Sequence, residues 1–579
     1  MKKYLPFFAK YKKALWLAPL LVIIDVGCEI VQPNLMSKIV DVGIGHKSMS
    51  YILQTGALMV GLSLVAIAAN IGNIYFSSQA SVGFSAELRK SMFEKIQQFS
   101  FSNLDKFSSA SLVTRITNDV NILQEVIMMA LRLLIRAPLM LLFALVIAIH
   151  INSTLAIIIG VAMPVLALCI FFILRRGLPY FEKMQKQLDW LNTLIQENLV
   201  NVRVVKSFTR EPFEEEKFGG ANDRLRDIAT RASGMVVLIM PVMQLVMNLS
   251  IVAIVWFGGN EIMTGSFRVG GLMSFITYIT QILMSLMMLS MTIMTFSRAT
   301  ASAERIWELL RTRPDISDMP GVREKNLVVQ QGRVEFRNVF FRYDPKAKTD
   351  TLKNINLLVQ AGETVGIIGA TGSSKSTLVQ LIPRLYDVYS GQILIDNLDI
   401  KEYSLQNLRN GVGMVLQQNE LFSGTIRENL QWGDPSASDE MIMAAARDAQ
   451  AHEFIMDMPQ QYDTILGQGG VNVSGGQKQR LCIARAILKK PRILVLDDST
   501  SAVDMLTEAR IREGFKNHLR KVTIFIISQR ISSLRNADRI LVMDEGAIAG
   551  NGRHEELMQS NALYREIYQS QQLNEELIS

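Results

Sequence analysis

Gly369-Ala370-Thr371-Gly372-Ser373-Ser374-Lys375-Ser376-Thr377 lies between the apolar run Thr364-Val365-Gly366-Ile367-Ile368 and the helical pattern Leu378-Val379-Gln380-Leu381-Ile382. A strand, a glycine-rich turn and a helix in this order form the context in which a chain grips phosphate. Backbone N–H groups and the positive helix end meet the anion, a lysine (Lys375) reaches the outer phosphates, and a hydroxyl (Ser376) ligates magnesium. Farther on, Ile493-Leu494-Val495-Leu496 reads as a buried strand ending in Asp497, where a carboxylate can orient magnesium through water. The chemistry to expect is binding of ATP with Mg2+.

The rest of the chain must hold that loop, and its two halves suit different solvents. At 579 residues it is too long for one core. Hydrophobic residues make up 49%, concentrated before about residue 300, although a fifth of the chain is charged. The net charge of +7 does not mark a nucleic-acid binder, because Lys2, Lys3, Lys10, Lys12, Lys13, Arg89, Lys90, Arg175, Arg176, Arg231 and Arg298 flank apolar runs. Cys28, Cys169 and Cys482 are isolated, so they suggest packing rather than metal or disulfide chemistry.

Residues 14–36 and Ile52–Phe76 supply two spans, the first read as uncleaved. Between Arg136 and Arg175 there is no charged residue, too long a stretch for one crossing, so it folds as a hairpin turning at His150-Ile151-Asn152-Ser153-Thr154. Residues 232–260 and 269–297 form another hairpin. Six crossings result. The long basic loops after the second and fourth spans set both termini of this multi-pass chain in the cytoplasm. Ser109–Val120 and Arg203–Phe218 are the loop segments expected near the second domain. The boundaries are a membrane domain over 1–312, a linker over 313–330 with Pro314, Pro320 and Gly321, and a nucleotide-binding domain over 331–579 that opens on the strand Val334-Glu335-Phe336.

Over essentially its full length this pattern resembles the ABC exporter family. The resemblance implies an all-α six-helix ABC exporter membrane domain plus an α/β P-loop ATPase domain. It makes Gly369, Thr371, Gly372, Ser373, Ser374, Lys375, Ser376 and Thr377 the phosphate loop, and Tyr343 the aromatic that stacks on adenine. Gln417, in Val-Leu-Gln-Gln-Asn-Glu-Leu-Phe, matches the glutamine that senses magnesium, alongside Ser376 and Asp497. Ser474, Gly475, Gly476 and Gln477 look like the signature motif, with Val473 in place of leucine, and Ser501-Ala502-Val503-Asp504 resembles the loop that crosses the dimer interface.

Three positions depart from the family pattern. Ser374 stands for a glycine, Asp498 for the glutamate that polarises the attacking water, and Gln529 for a histidine. One methylene less withdraws the carboxylate by about 1.5 Å, a loss of order 100-fold where geometry controls the rate. A glutamine cannot take up a proton. Gln468 also departs from a glutamate just before the signature. In this family each of two sites is built from the phosphate loop of one chain and the signature of the other. The pattern therefore implies a heterodimer with a second half-transporter, in which this chain's own site is impaired and its signature completes the partner's.

For cargo, Asp25 and Glu29 lie four apart on one face of the first span, where ionised groups need compensation. A cationic substrate or an internal Lys or Arg could supply it. Met235, Met240, Met243, Met247, Met273, Met284, Met287, Met288, Met291 and Met294 in the last two spans suit either an adaptable cavity for small amphiphilic compounds or helix packing against neighbours and membrane lipid. Drug export is the family-level expectation. A lipid or peptide exporter and a non-pumping ATP-binding sensor are the alternatives.

Overall fold

The computed structural model describes residues 2–344, 346–499, 503–519 and 521–578. It divides into two compact units, one of residues 1–97 and 109–312, the other of 98–108 and 313–579.

In the first unit six helices among the described residues are long and apolar enough to cross a membrane: Lys3–Ile44, Met49–Gln97, Ser109–Ile151, Ser153–Val200, Glu211–Met263 and Val269–Leu289. Several extend well past a bilayer. The 49-residue Met49–Gln97 helix is about 73 Å long at 1.5 Å per residue, more than twice the hydrocarbon thickness. The hairpin between the third and fourth spans turns at Asn152, whose side chain accepts from the N–H groups of Thr154 and Leu155 and so caps the next helix. On the second span Val60, Leu64, Ile67 and Ile71 form one exposed stripe at helical spacing, the face a lipid would cover. The opposite face is polar and buried: Asn73 Nδ2 donates to Ala18 O at 2.9 Å.

The core of this unit joins Val22, Val26 and Ile30 of the first span to Phe275, Tyr278, Ile279 and Ile282 of the last. Pro33 interrupts the first helix, and side chains from the last span reach the backbone around it. Ser274 Oγ donates to Pro33 O at 2.6 Å and Tyr278 Oη to Ile30 O at 2.7 Å. These two bonds tie the last span to the proline-bearing stretch of the first. The methionines divide: Met243, Met247 and Met287 pack on this core, while Met240, Met273, Met284 and Met288 are exposed. The side chains of Met291 and Met294 lie outside the described set.

Among the described residues the second unit has twelve strands: β1 (Val334–Phe341), β2 (Leu352–Val359), β3 (Thr364–Gly369), β4 (Ser390–Ile395), β5 (Leu398–Asp399), β6 (Val412–Val415), β7 (Gly424–Thr425), β8 (Ile465–Leu466), β9 (Ile493–Asp497), β10 (Thr523–Ile527), β11 (Arg539–Asp544) and β12 (Ala547–Gly552). Six of them make one sheet in the order β12-β11-β3-β10-β9-β6, parallel except for the β11–β12 edge. An antiparallel sheet runs β2-β1-β4-β5, and β7 pairs with β8. The parallel sheet is buried on both faces, which explains its uninterrupted apolar runs. Val365, Ile367, Ile493, Val495, Phe525 and Ile527 face the core shared with the antiparallel sheet. Ile368, Leu494, Leu496, Ile524 and Ile526 face the other core, which includes the Gly475–Leu488 helix.

The stretch 313–330 packs within the second unit. Ile316, Val322 and Val329 are buried, and Asp318 Oδ1 accepts from the Leu405 N–H at 2.7 Å. Within the first long loop, the short helix Phe101–Lys106 packs in the second unit, and Ser109–Val120 belongs to the first. Its N-terminus closes in a capping box between Ser100 and Asn103, and Asn103 Oδ1 also accepts from the Asp315 N–H at 3.0 Å.

Candidate functional site

β3, β9 and β10 are neighbours in parallel, in register Ile527 with Asp497 and with Ile367, so their carboxyl ends open on one side of the sheet. Ligands bind at that edge in open α/β sheets. A cavity of about 350 Å³ lies there, and its walls include Thr371, Ser374, Lys375, Ser376, Gln417, Asp497, Asp498 and Gln529. Residues from four separate stretches of sequence thus converge on one space.

The phosphate loop turns tightly where β3 ends. A Cβ on Gly369 would collide with the carbonyl oxygen of Met543, so glycine is required. Ser374 precedes the Lys375–Gln380 helix at φ +71°, the left-handed region in which a Cβ is strained. The substitution foreseen from the motif therefore has a conformational cost as well as a chemical one. Lys375 Nζ turns back onto the loop, donating to Gly369 O at 2.9 Å and Ala370 O at 2.7 Å. Burial holds its ammonium below the usual lysine range.

Ser376 Oγ donates to Asp497 Oδ1 at 2.9 Å. A hydroxyl and a carboxylate so close, with the Gln417 amide on the same wall, make an all-oxygen donor set of the kind magnesium prefers. Ser376, Asp497 and Gln417 are the residues that could hold the ion, with phosphate oxygens supplying the rest. Burial pushes both the Asp497 and Asp498 carboxyls above the ordinary aspartate range. Asp498 leaves β9 at φ +48°, and Gln529 Nε2 donates to its Oδ2 at 3.2 Å. The two substituted positions touch each other.

Tyr343 is 48% exposed, its ring edge-on to Phe341 and Tyr386 and its hydroxyl 3.0 Å from Thr377 Oγ1. Its free face is available for stacking. Ser474 begins the Gly475–Leu488 helix with a capping box: Ser474 N–H donates to Gln477 Oε1 at 2.9 Å, and Ser474 Oγ accepts from Gln477 N–H at 3.3 Å. Ser474 and Gly475 are exposed, and the residues named for the cavity wall include none from 474–477. This helix N-terminus offers its donors outward. Ser501 and Ala502 lie outside the described residues. Asp504 caps the Met505–His518 helix by accepting from the Thr507 N–H at 2.9 Å.

Sequence reasoning passed over Thr351, which lines the cavity from just before β2, and Tyr386, which packs against Tyr343. Neither stands at a motif spacing.

In the first unit Asp25 and Glu29 have an internal counter-ion. Arg136 Nη1 donates to Asp25 Oδ2 at 2.7 Å and its Nη2 pairs with Glu29 Oε2. Asp25 is buried and also accepts from Asn70. Of the two compensations left open by the sequence, the structure contains the arginine.

The family model for the ABC transporter transmembrane region matches residues 15–286, and that for the ABC transporter ATP-binding part, described as ABC transporter, matches 352–501. An uncharacterized ABC transporter ATP-binding protein, YfiB of Bacillus subtilis, is 42% identical over 99% of this chain and 98% of its own length. An ATP-dependent lipid A-core flippase of Syntrophus aciditrophicus is 36% identical over 84% and 80%. A putative multidrug export ATP-binding/permease protein, YgaD of B. subtilis, is 32% identical over 99% and 100%. Among solved structures, a bacterial Atm1-family ABC exporter with ATP bound matches at TM-score 0.82 and 27% identity, covering 97% of this chain and all of that one.

Proposed function

The chain belongs to the ABC transporter family, as a membrane-embedded half-transporter of the exporter type with its own ATPase domain, and from that premise we propose that it works as one subunit of a heterodimer. Its own nucleotide site binds ATP with magnesium through Ser376, Gln417 and Asp497 but hydrolyses it slowly. Its signature, Ser474 to Gln477, completes the competent site of a partner half-transporter. The supporting observation is that Ser374, Asp498 and Gln529 all line the same cavity, with Gln529 bonded to Asp498. The amide spends a donor on the carboxylate that should activate water and has no basic nitrogen to offer a γ-phosphate. The signature keeps the capped, outward-facing helix end that a partner's nucleotide would use.

Purified alone, the chain hydrolyses ATP slowly at best, and adding the partner that co-purifies from native membranes restores turnover. Brisk activity of the isolated chain would sink the heterodimer reading. Within the pair, replacing Ser474 or Gly476 abolishes turnover, whereas Lys375→Ala mainly weakens ATP retention. Equal loss in both would show that the sites are not divided.

For cargo we take small amphiphilic compounds moved out of the cell across the plasma membrane, both termini cytoplasmic, in keeping with the drug exporter among the relatives. The lipid flippase among them favours a lipid as the second reading. ATPase of the pair stimulated by cationic and neutral drugs, and not by lipid, supports the first, and the reverse supports the second.

A further inference from the structure

Gln529, with the segment to Ile531 here called the switch, is itself held by a residue from the far end of the chain. Beyond β10 the chain continues through Ser528 and Gln529 to Ile531, which is buried in the same core as Tyr564. The Ala562–Ile578 helix packs on that core through Leu563, Tyr564 and Ile567. Tyr564 is fully buried, and its hydroxyl is 2.8 Å from His554 Nδ1, which anchors the helix. Two turns on, the Gln571 carboxamide bridges the switch segment. Its Nε2 donates to Gln529 O at 2.6 Å, and its Oε1 accepts from Ile531 N–H at 2.9 Å.

A carboxamide presents one donor side and one acceptor side, matching a backbone carbonyl and an N–H two residues apart. Reversing it would face donor to donor and acceptor to acceptor, so the pairing fixes its orientation. Gln529 then has both ends constrained, its carbonyl by Gln571 and its side chain by Asp498.

We propose that Gln571 is a positioning residue of the nucleotide site, clamping the 529–531 backbone so that Gln529 is aimed at Asp498 and the outer phosphates. The clamp ties the switch to the C-terminal helix rather than to the sheet. Displacing that helix therefore loosens the hold on nucleotide without touching the phosphate loop. This inference rests on the nucleotide-site reading but not on the heterodimer.

The test compares the full-length chain with Gln571→Ala, Gln571→Glu and the neighbouring Gln572→Ala. Hydrogen exchange of the 528–534 peptide and dissociation of Mg-mant-ATP are the readouts. In Gln571→Ala, exchange of that peptide rises on the order of 10-fold, the equivalent of one lost hydrogen bond. Nucleotide dissociation accelerates by roughly 3- to 10-fold with unchanged association. Gln571→Glu keeps the acceptor for Ile531 but turns a carboxylate on Gln529 O, so it protects the peptide partly and still releases nucleotide faster. Gln572→Ala matches wild type in both readouts. The proposal is overturned if exchange in 528–534 is unchanged in Gln571→Ala, or if it rises while dissociation stays wild-type. It is also overturned if faster exchange spreads over the whole domain with a fall in melting temperature, which would mark a merely structural residue. A wild-type chain that binds no mant-ATP would sink the nucleotide-site reading itself, and this inference with it.

Discussion

Tyr386 Oη donates to Asp105 Oδ2 at 2.9 Å, across 281 residues of sequence. The tyrosine is buried beside Tyr343, their rings edge to face at 5.1 Å, and the aspartate sits on the Phe101–Lys106 helix between the second and third spans. A residue beside Tyr343 therefore holds the loop that continues into the membrane helices. Burial and the nearby carboxylate both push the phenol well above its ordinary range, so it remains a donor at any physiological pH.

Tyr386→Phe removes that bond and leaves the exposed Asp105 carboxylate to water. A hydrogen bond to a charged group is worth about 1.5–3 kcal/mol. The variant should bind mant-ATP normally yet lose most of the stimulation of ATPase by transported compound when paired with its partner. A double-mutant cycle with Asp105→Asn measures the coupling, and additive effects would show that the two residues act separately.

Ser374→Gly relieves a left-handed serine, a conformation that costs a non-glycine residue about 1–2 kcal/mol. Melting temperature of the apo chain should rise and mant-ATP should bind more tightly. Turnover should stay low, because Asp498 and Gln529 are untouched. A large gain in turnover from this change alone would place the main defect in the loop.

Asp498→Asn should stabilise the apo chain at neutral pH. Burial raises the folded-state pKa of both Asp497 and Asp498 above the unfolded value. Between the ordinary value of about 3.9 and the raised one, the folded chain binds more protons than the unfolded chain, so stability falls as pH rises through that interval. Removing one carboxylate lifts melting temperature above that interval and flattens its decline through it. Melting temperatures that diverge from wild type below that interval rather than above it would contradict the sign.

Arg136→Ala strands Asp25 and Glu29 in a membrane segment, and breaking a buried pair from one side costs about 3–5 kcal/mol. Yield and melting temperature should fall sharply, and adding Asp25→Asn and Glu29→Gln should recover much of both. The Asp25→Asn, Glu29→Gln pair in the wild-type background should transport cationic and neutral compounds in an unchanged ratio. Selective loss of cationic transport would return these carboxylates to a role in cargo recognition.

Much of this was legible where the physics is local. Apolar runs located the spans because a bilayer dictates their length, and Gly369 to Thr377 announced the phosphate loop because the backbone must turn there. Asp497 was marked by the strand before it, and Ser474 to Gln477 by their likeness to the family signature. Arg136 gave no sign that it answers Asp25, 111 residues earlier, nor Gln571 that it answers Gln529, 42 residues away. Such partners have no period or spacing. They are chosen by how helices and strands come together, which the pattern of any single segment does not encode.

The pairing of Arg136 with two carboxylates also bears on how the protein is made. The first span leaves the ribosome carrying Asp25 and Glu29 long before the third span supplies their arginine. An acidic residue at the middle of a lone helix disfavours insertion by roughly 2.5–3.5 kcal/mol. Until Arg136 arrives the first helix is a poor membrane segment, kept near the insertion machinery or only partly inserted, and its final seat is taken together with the third. Biogenesis of this half is therefore a cooperative event among non-adjacent spans, and a chain truncated before Arg136 should be found by quality-control proteases rather than in the bilayer.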